Sequence, residues 1–204
     1  MYDGREVSDR SPVEGRPSED DGLAARARDG DVGAFEELVT RYQGIAFRVA
    51  WLVVGNRGDA EDAVQDAFVK AYYAMPRFRP GAPFRPWILR IVANEARNRG
   101  RSSRRREGLT MRLAATDTAQ AAPPAEVAAL DRADAEALVA ALDRLPERDR
   151  LVVAYRYLFE MSEAETAEAL DVRPGTVKSR LSRALVRLRT DLASTAMLAE
   201  VEES

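Results

Sequence analysis

Apolar residues recur along most of this chain with the period of an α-helix. Phe35, Leu38, Val39, Tyr42, Ile45, Ala46, Val49 and Ala50 mark one face of a long helix, because side chains three and four apart share a face. Gly55-Asn56-Arg57-Gly58 ends it. The next helix, Asp59 to about Met75, buries Ala63, Val64, Ala67, Phe68, Ala71 and Met75. Prolines at 76, 80, 83 and 86, with Gly81, then forbid a continuous helix and predict a stiff extended loop. Pro86 opens a further helix, with Trp87, Ile88 and Ile91 as its stripe. Ahead of all these, Leu23 to Arg28 reads as a short helix closed by Asp29-Gly30-Asp31.

Helical patterning fades from 108 to 134, which is rich in Ala, Thr and Pro, and resumes from Ala133 to Leu145. Pro146 starts a helix striped by Leu151, Val152, Tyr155, Leu158 and Phe159. Ser162-Glu163-Ala164-Glu165 is a capping box for a helix through Ala167 and Leu170. Asp171-Val172-Arg173 is left as a short turn before Pro174, which suits a first helical position. The helix that follows places Val177, Leu181, Ala184, Leu185, Leu188 and Leu192 on one side. This is a helix-turn-helix. The predicted fold is all-α, with two small helical domains, 23–107 and 135–193, joined by a flexible linker at 108–134. Residues 1–22, acidic and nearly devoid of large apolar groups, predict a disordered tail, and 194–204 a fraying C-terminal one.

Charge sharpens the picture. The net charge is −3, yet Arg173, Lys178, Arg180, Arg183, Arg187 and Arg189 occupy the last strong helix with no acid among them. Its exposed side is centred near Ser179 and Arg183, beside Ser182 and Val186. In a helix-turn-helix such a face enters the major groove, where Arg183 and Lys178 can donate to guanine and Ser179 and Ser182 bond either way. A second footprint spans 85–106, where eight arginines face Glu95 alone. In the loop before it, Phe78 and Phe84 lie outside any periodic stripe and are candidates to stack on an unpaired base, among the arginines 77, 79 and 85. Trp87 shares the phase of Ile88 and Ile91, which reads as core. The acids Asp59, Glu61, Asp62 and Asp66 suit the positive end of a helix dipole, with some left to meet a basic partner.

Cysteine and histidine are both absent, which removes disulfides, thiolate metal sites and the commonest general base. No metal, cofactor or catalytic residue is expected, and Ser179 has no base to activate it. Neither a bilayer-spanning run nor a signal-peptide core is present, which predicts a cytoplasmic protein without membrane insertion.

Four motifs in order, Asp59-Ala60-Glu61-Asp62-Ala63-Val64-Gln65-Asp66-Ala67-Phe68, Trp87-Ile88-Leu89-Arg90-Ile91-Val92-Ala93-Asn94, Leu145-Pro146-Glu147-Arg148 and Gly175-Thr176-Val177-Lys178-Ser179-Arg180-Leu181, resemble the bacterial RNA polymerase sigma factors. Size and short linker are similar to the extracytoplasmic-function branch, which keeps regions two and four. The resemblance implies a dissociable transcription initiation subunit and not an enzyme. It implies that Asp59, Asp62, Gln65 and Asp66 meet the β′ clamp helices of core RNA polymerase. Phe78, Arg79, Phe84, Arg85, Arg90, Asn94, Arg97 and Asn98 would bind the minus-ten element of promoter DNA, Asn94 helping to hold an everted base. Arg173, Thr176, Lys178, Ser179, Arg180, Ser182, Arg183 and Arg187 would read the minus-thirty-five element as duplex. The apolar surface of region four, including parts of 145–160, would hold the β flap, and an anti-sigma factor would cover the polymerase-binding surfaces. Two positions depart from the pattern: many relatives carry Asp at Asn98, and Asp or Ser at Arg173, where this chain lacks a side-chain cap. The alternative is a free-standing helix-turn-helix regulator on an operator, which leaves the loop and second basic helix unused.

Overall fold

The computed structural model describes residues 19–110 and 132–202. The first half holds α1 (Glu19–Arg28), α2 (Val32–Val54), α3 (Arg57–Ala74), a 3-10 turn at Met75–Arg77 and α4 (Phe84–Thr110). The second holds α5 (Arg132–Arg144), α6 (Glu147–Val153), a π turn at Ala154–Leu158, α7 (Glu163–Leu170) and α8 (Pro174–Glu202). Among the described residues there is no strand. The expected acidic tail before residue 19 and the linker at 111–131 lie outside the described residues.

Local chemistry sets the boundaries. Asp31 caps α2, its carboxylate accepting from the Ala34 amide at 3.0 Å. Gly55 ends α2 in the left-handed region at φ 76°, where its lack of a Cβ removes strain. Asn56 caps α3 by accepting from the Asp59 amide at 2.8 Å. On α3, Ala60, Ala63, Ala67 and Ala71 are fully buried, so small side chains bring its backbone close to α2 and α4. Leu38, Ala46 and Val49 of α2 and Ile88, Leu89 and Val92 of α4 fill the shared core.

Several boundaries differ from expectation. α1 begins at Glu19 because Asp20 has partners: the Tyr42 hydroxyl donates to it, and Arg41 Nη1 donates at 2.8 Å. α4 begins at Phe84, ahead of Pro86, since a proline in a first turn gives up an amide that has no intrahelical acceptor anyway. α4 continues to Thr110 and α8 to Glu202, each past the expected domain edge.

The second half has two small cores around α8. One gathers Ala141, Leu145, Val153, Ala184 and Leu188, the other Val152, Ala167 and Val177. The halves also meet. Leu151, Ala154, Tyr155, Phe159, Met161 and Ala169 join the core of α2, α3 and α4, with α7 against α4 and α6 against α2. Periodicity marks an apolar face without naming what covers it, and here part of the cover is the other domain.

Candidate nucleic-acid interface

The helix-turn-helix is built by caps at both ends of α7. Ser162 Oγ accepts from the Glu165 amide at 3.2 Å while Glu165 accepts from the Ser162 amide at 2.8 Å. That is the capping box legible in the sequence. At the other end Asp171 is left-handed, φ 53°, and the Val172 amide donates to the Ala167 carbonyl at 2.9 Å. A short aspartate tolerates this conformation better than most side chains. Pro174 then starts α8.

On α8, Val177, Ala184 and Leu188 are buried, and Lys178, Ser179, Ser182, Arg183 and Val186 are exposed together. Arg173 is exposed at the turn, with Thr176 and Arg180 half-buried beside this face. Arg183 Nε donates to the Ser179 carbonyl at 3.2 Å, laying the guanidinium along the helix. Arg187, exposed on this face, also pairs through Nη1 with Asp149 at 2.7 Å, and Asp149 is largely buried. It therefore ties α8 to α6 as well as adding charge to the face.

The first half presents the other basic surface. Arg79, Asn94 and Asn98 are exposed, and Arg85, Arg90 and Arg97 are half-buried. A cleft of about 500 Å³ beside the proline loop is lined by Arg77, Phe78, Arg79, Trp87 and Arg90, and by Glu168 of α7. Here the aromatic assignment needs correction. Phe78 and Phe84 are only 6% and 1% exposed, so neither is free to stack on a base. They are core because the loop folds back: Phe78 meets Trp87 at 4.9 Å between ring centroids, and Phe84 meets Trp87 at 5.5 Å. Trp87, read as core, is half-buried and lines the cleft. The sequence signal for it was its place in the first turn after the proline loop. Arg77, outside the expected set, also reaches this cleft.

On α3, Asp62 and Gln65 are exposed and Asp59 and Asp66 half-buried. Arg99 of α4 pairs with Asp62 at 2.6 Å and with Asp66 at 2.8 Å. The Asp66 hydrogen bond leads in holding the Arg99 pKa above its ordinary value. Two of the four candidate polymerase contacts thus already have an internal cation.

The seam between the halves draws on the same basic groups. Arg97 Nε pairs with Glu147 at 2.7 Å and Nη1 donates to Asn94 Oδ1 at 3.0 Å. Arg85 donates to the Phe159 carbonyl, and the Arg48 guanidinium lies 5.4 Å from the Phe159 ring centroid. Burial first, and then the neighbouring Arg85, push the Arg48 pKa below its ordinary value. Tyr155 is fully buried, its hydroxyl has no hydrogen-bond partner among the described residues, and burial pushes its pKa up. Among the described residues no group of three or more carboxylates converges in a way that could hold a metal ion.

A capped helix-turn-helix with a basic outer face, joined to a second arginine-lined helical unit, defines a DNA-binding protein of the helix-turn-helix class. Comparison narrows the class. The model of sigma-70 region 2 matches residues 38–106, and that of sigma-70 region 4 matches residues 135–188. The RNA polymerase sigma factor NccH of Alcaligenes xylosoxydans xylosoxydans is 33% identical over 88% of this chain and 97% of its own length. The ECF RNA polymerase sigma-E factor of Escherichia coli K12 is 33% identical over 79% of this chain and 88% of its own. The solved structure of CnrH with the cytosolic domain of CnrY is 30% identical, covering 86% of this chain and 97% of that one at a TM-score of 0.63. That of RpoE from Bartonella quintana with the anti-sigma factor NepR is 25% identical, covering 78% and 96% at a TM-score of 0.65. The chain belongs to the sigma-70 family of bacterial RNA polymerase sigma factors, on its extracytoplasmic-function branch. It is a transcription initiation factor, and a free-standing operator-binding regulator is not favoured. Its relatives are sigma factors, which are not enzymes.

Proposed function

We propose that this chain directs core RNA polymerase to promoters with its two basic surfaces in separate roles. The α8 face, through Lys178, Ser179, Ser182 and Arg183, reads the minus-thirty-five element as duplex. Arg173, Thr176, Arg180 and Arg187 add phosphate contacts or support. The cleft lined by Arg79 and Arg90, together with Asn94, Arg97 and Asn98 further along α4, takes the minus-ten element as separated strand, with Asn94 at an everted base. Arg85 contributes once it leaves the Phe159 carbonyl, and Phe78 and Phe84 act by shaping the cleft behind Trp87. Everting a base costs a few kcal/mol of lost stacking, which such pocket contacts offset. Asp59, Asp62, Gln65 and Asp66 meet the β′ clamp helices, with Arg99 yielding part of its pairing to a basic partner. The apolar face of α6 and the π turn meets the β flap. An anti-sigma factor restrains the protein, as the RpoE complex with NepR illustrates for a similar fold. The domains serving these roles are 23–107 and 135–193. The site of action is the cytoplasm, and among the described residues no helix is long and apolar enough to cross a membrane.

The observation that carries this reading is the exposed grouping of Lys178, Ser179, Ser182 and Arg183 on a helix whose other side is buried. The test maps transcript start sites gained on overproduction, then assays those promoters with purified core polymerase. Start-site-specific transcripts that require this chain are expected. Tight duplex binding by the chain alone, with no transcript, would overturn the assignment.

A further inference from the structure

Along the basic part of α4, Arg97 turns to Glu147 at 2.7 Å, and Arg101 donates to Asn98 Oδ1 at 3.3 Å. Arg99, between them, crosses instead to α3. Its Nε and Nη2 both donate to Asp66 Oδ2, at 3.2 and 2.8 Å, and its Nη1 donates to Asp62 Oδ2 at 2.6 Å. One guanidinium thus spans two carboxylates that lie a helical turn apart. Like charges at that spacing repel each other, and without a common partner each aspartate would spread over several rotamers. The planar fork offsets the repulsion and selects one arrangement, a task for which a compact ammonium is poorly shaped. It takes up only one oxygen of each acid. Among the described residues neither Asp62 Oδ1 nor Asp66 Oδ1 accepts a hydrogen bond, and the two side chains remain 54% and 48% exposed. Asp59, nearer the start of α3, is held separately by the Asn56 side chain at 3.0 Å.

We propose that Arg99 is a positioning residue for polymerase binding, which sets Asp62 and Asp66 side by side with one oxygen of each left open to a cationic side chain of the polymerase. It rests on the role assigned above to the α3 acids. The two bonds to Asp66 persist in the complex, and the single bond to Asp62 is the part that yields to the partner. Acids already fixed lose less rotamer freedom on docking, so preorganisation shows as slower dissociation. The opposite role, a cation that competes with the partner, would give tighter binding once it is removed. These ion pairs lie at the surface and contribute little to folding, so binding and stability are read apart.

The test follows association and dissociation of the full chain with core polymerase by surface plasmon resonance, beside its melting temperature. Arg99→Ala should speed dissociation by roughly two- to tenfold, the factor for immobilising a side chain on binding. Association should be unchanged or faster, because the acidic face has lost a cation, and the melting temperature should hardly move. Arg99→Lys, which keeps the charge without the fork, should recover only part of the loss. In a chain carrying Asp62→Ala and Asp66→Ala, itself weaker for polymerase, Arg99→Ala should have no further effect. Tighter binding by Arg99→Ala, full recovery by Arg99→Lys, or an equal loss with and without the aspartates overturns the positioning role. So does a loss that follows a lowered melting temperature. Polymerase binding untouched by the paired aspartate substitutions sinks the role of the α3 acids first, and the positioning role falls with it.

Discussion

Arg183 and Asn94 both stand exposed, on different halves of the molecule, and their replacement should separate two steps of initiation. Arg183→Ala removes a donor from the α8 face, so upstream base preference should relax at a cost of roughly 1 to 3 kcal/mol. Asn94→Ala should impair strand opening and leave upstream duplex binding alone. Footprinting and permanganate reactivity on one promoter distinguish the two, and an identical uniform loss from both would contradict the division of roles. Asp31 offers a pH test. Its hydrogen bond from the Ala34 amide leads in holding its pKa below the ordinary value, with Arg26 second. A depressed carboxylate stabilises the fold above its unfolded pKa of about 3.9, and that contribution is lost as pH falls through the lower folded value. Asp31→Asn keeps a capping oxygen but does not titrate, so melting temperature should fall less steeply below about pH 4 than in the parent. What was legible at this scale was local: the Ser162 and Glu165 pair follows from neighbours in sequence, whereas Asp31, read only as part of the stop after the first helix, also caps α2. Phe78 and Phe84 were misplaced because their burial comes from a loop folding back onto Trp87, which no window of sequence contains.

Elements were read well where periodicity was long and poorly where helices met. α2, α3, α7 and α8 lie where their stripes put them. The start of α4 and the far ends of α4 and α8 did not: α4 runs through Gly108, where the change in composition puts its end, and α8 passes Ser194 with no glycine or proline to stop it. The π turn at Ala154–Leu158 was likewise unreadable. Its wider hydrogen-bonding, with the Phe159 amide donating to the Ala154 carbonyl at 2.9 Å, gives Phe159 its place in the seam. The capping box is testable as a unit. Ser162→Ala removes the acceptor for the Glu165 amide and should cost about 1 kcal/mol in chemical denaturation. Since α7 orients the turn into α8, the same change should also weaken duplex binding more than it weakens minus-ten strand binding.

At the scale of the whole molecule, the all-α class and the order of the two helical domains followed from patterning, charge partition and resemblance. Their mutual packing did not. Leu151, Tyr155 and Phe159 announce an apolar stripe equally whether their cover is α8, another protein or α4. The nearest cue was charge: the acids of α7 and the arginines around the proline loop are complementary, but complementarity between distant segments does not specify contact. Arg97 and Glu147, fifty positions apart, became partners only through the fold.

The alanine row on α3 carries a consequence of its own. Because Ala60, Ala63, Ala67 and Ala71 are fully buried and carry only a methyl group each, this helix acts as a gauge block that sets how far Asp62 and Asp66 stand from Arg99. Ala67→Leu would need room that the bundle lacks, costing roughly 1 to 3 kcal/mol. The acidic edge would be displaced outward with the helix, so thermal stability and polymerase affinity should decline together although the substituted side chain touches no partner.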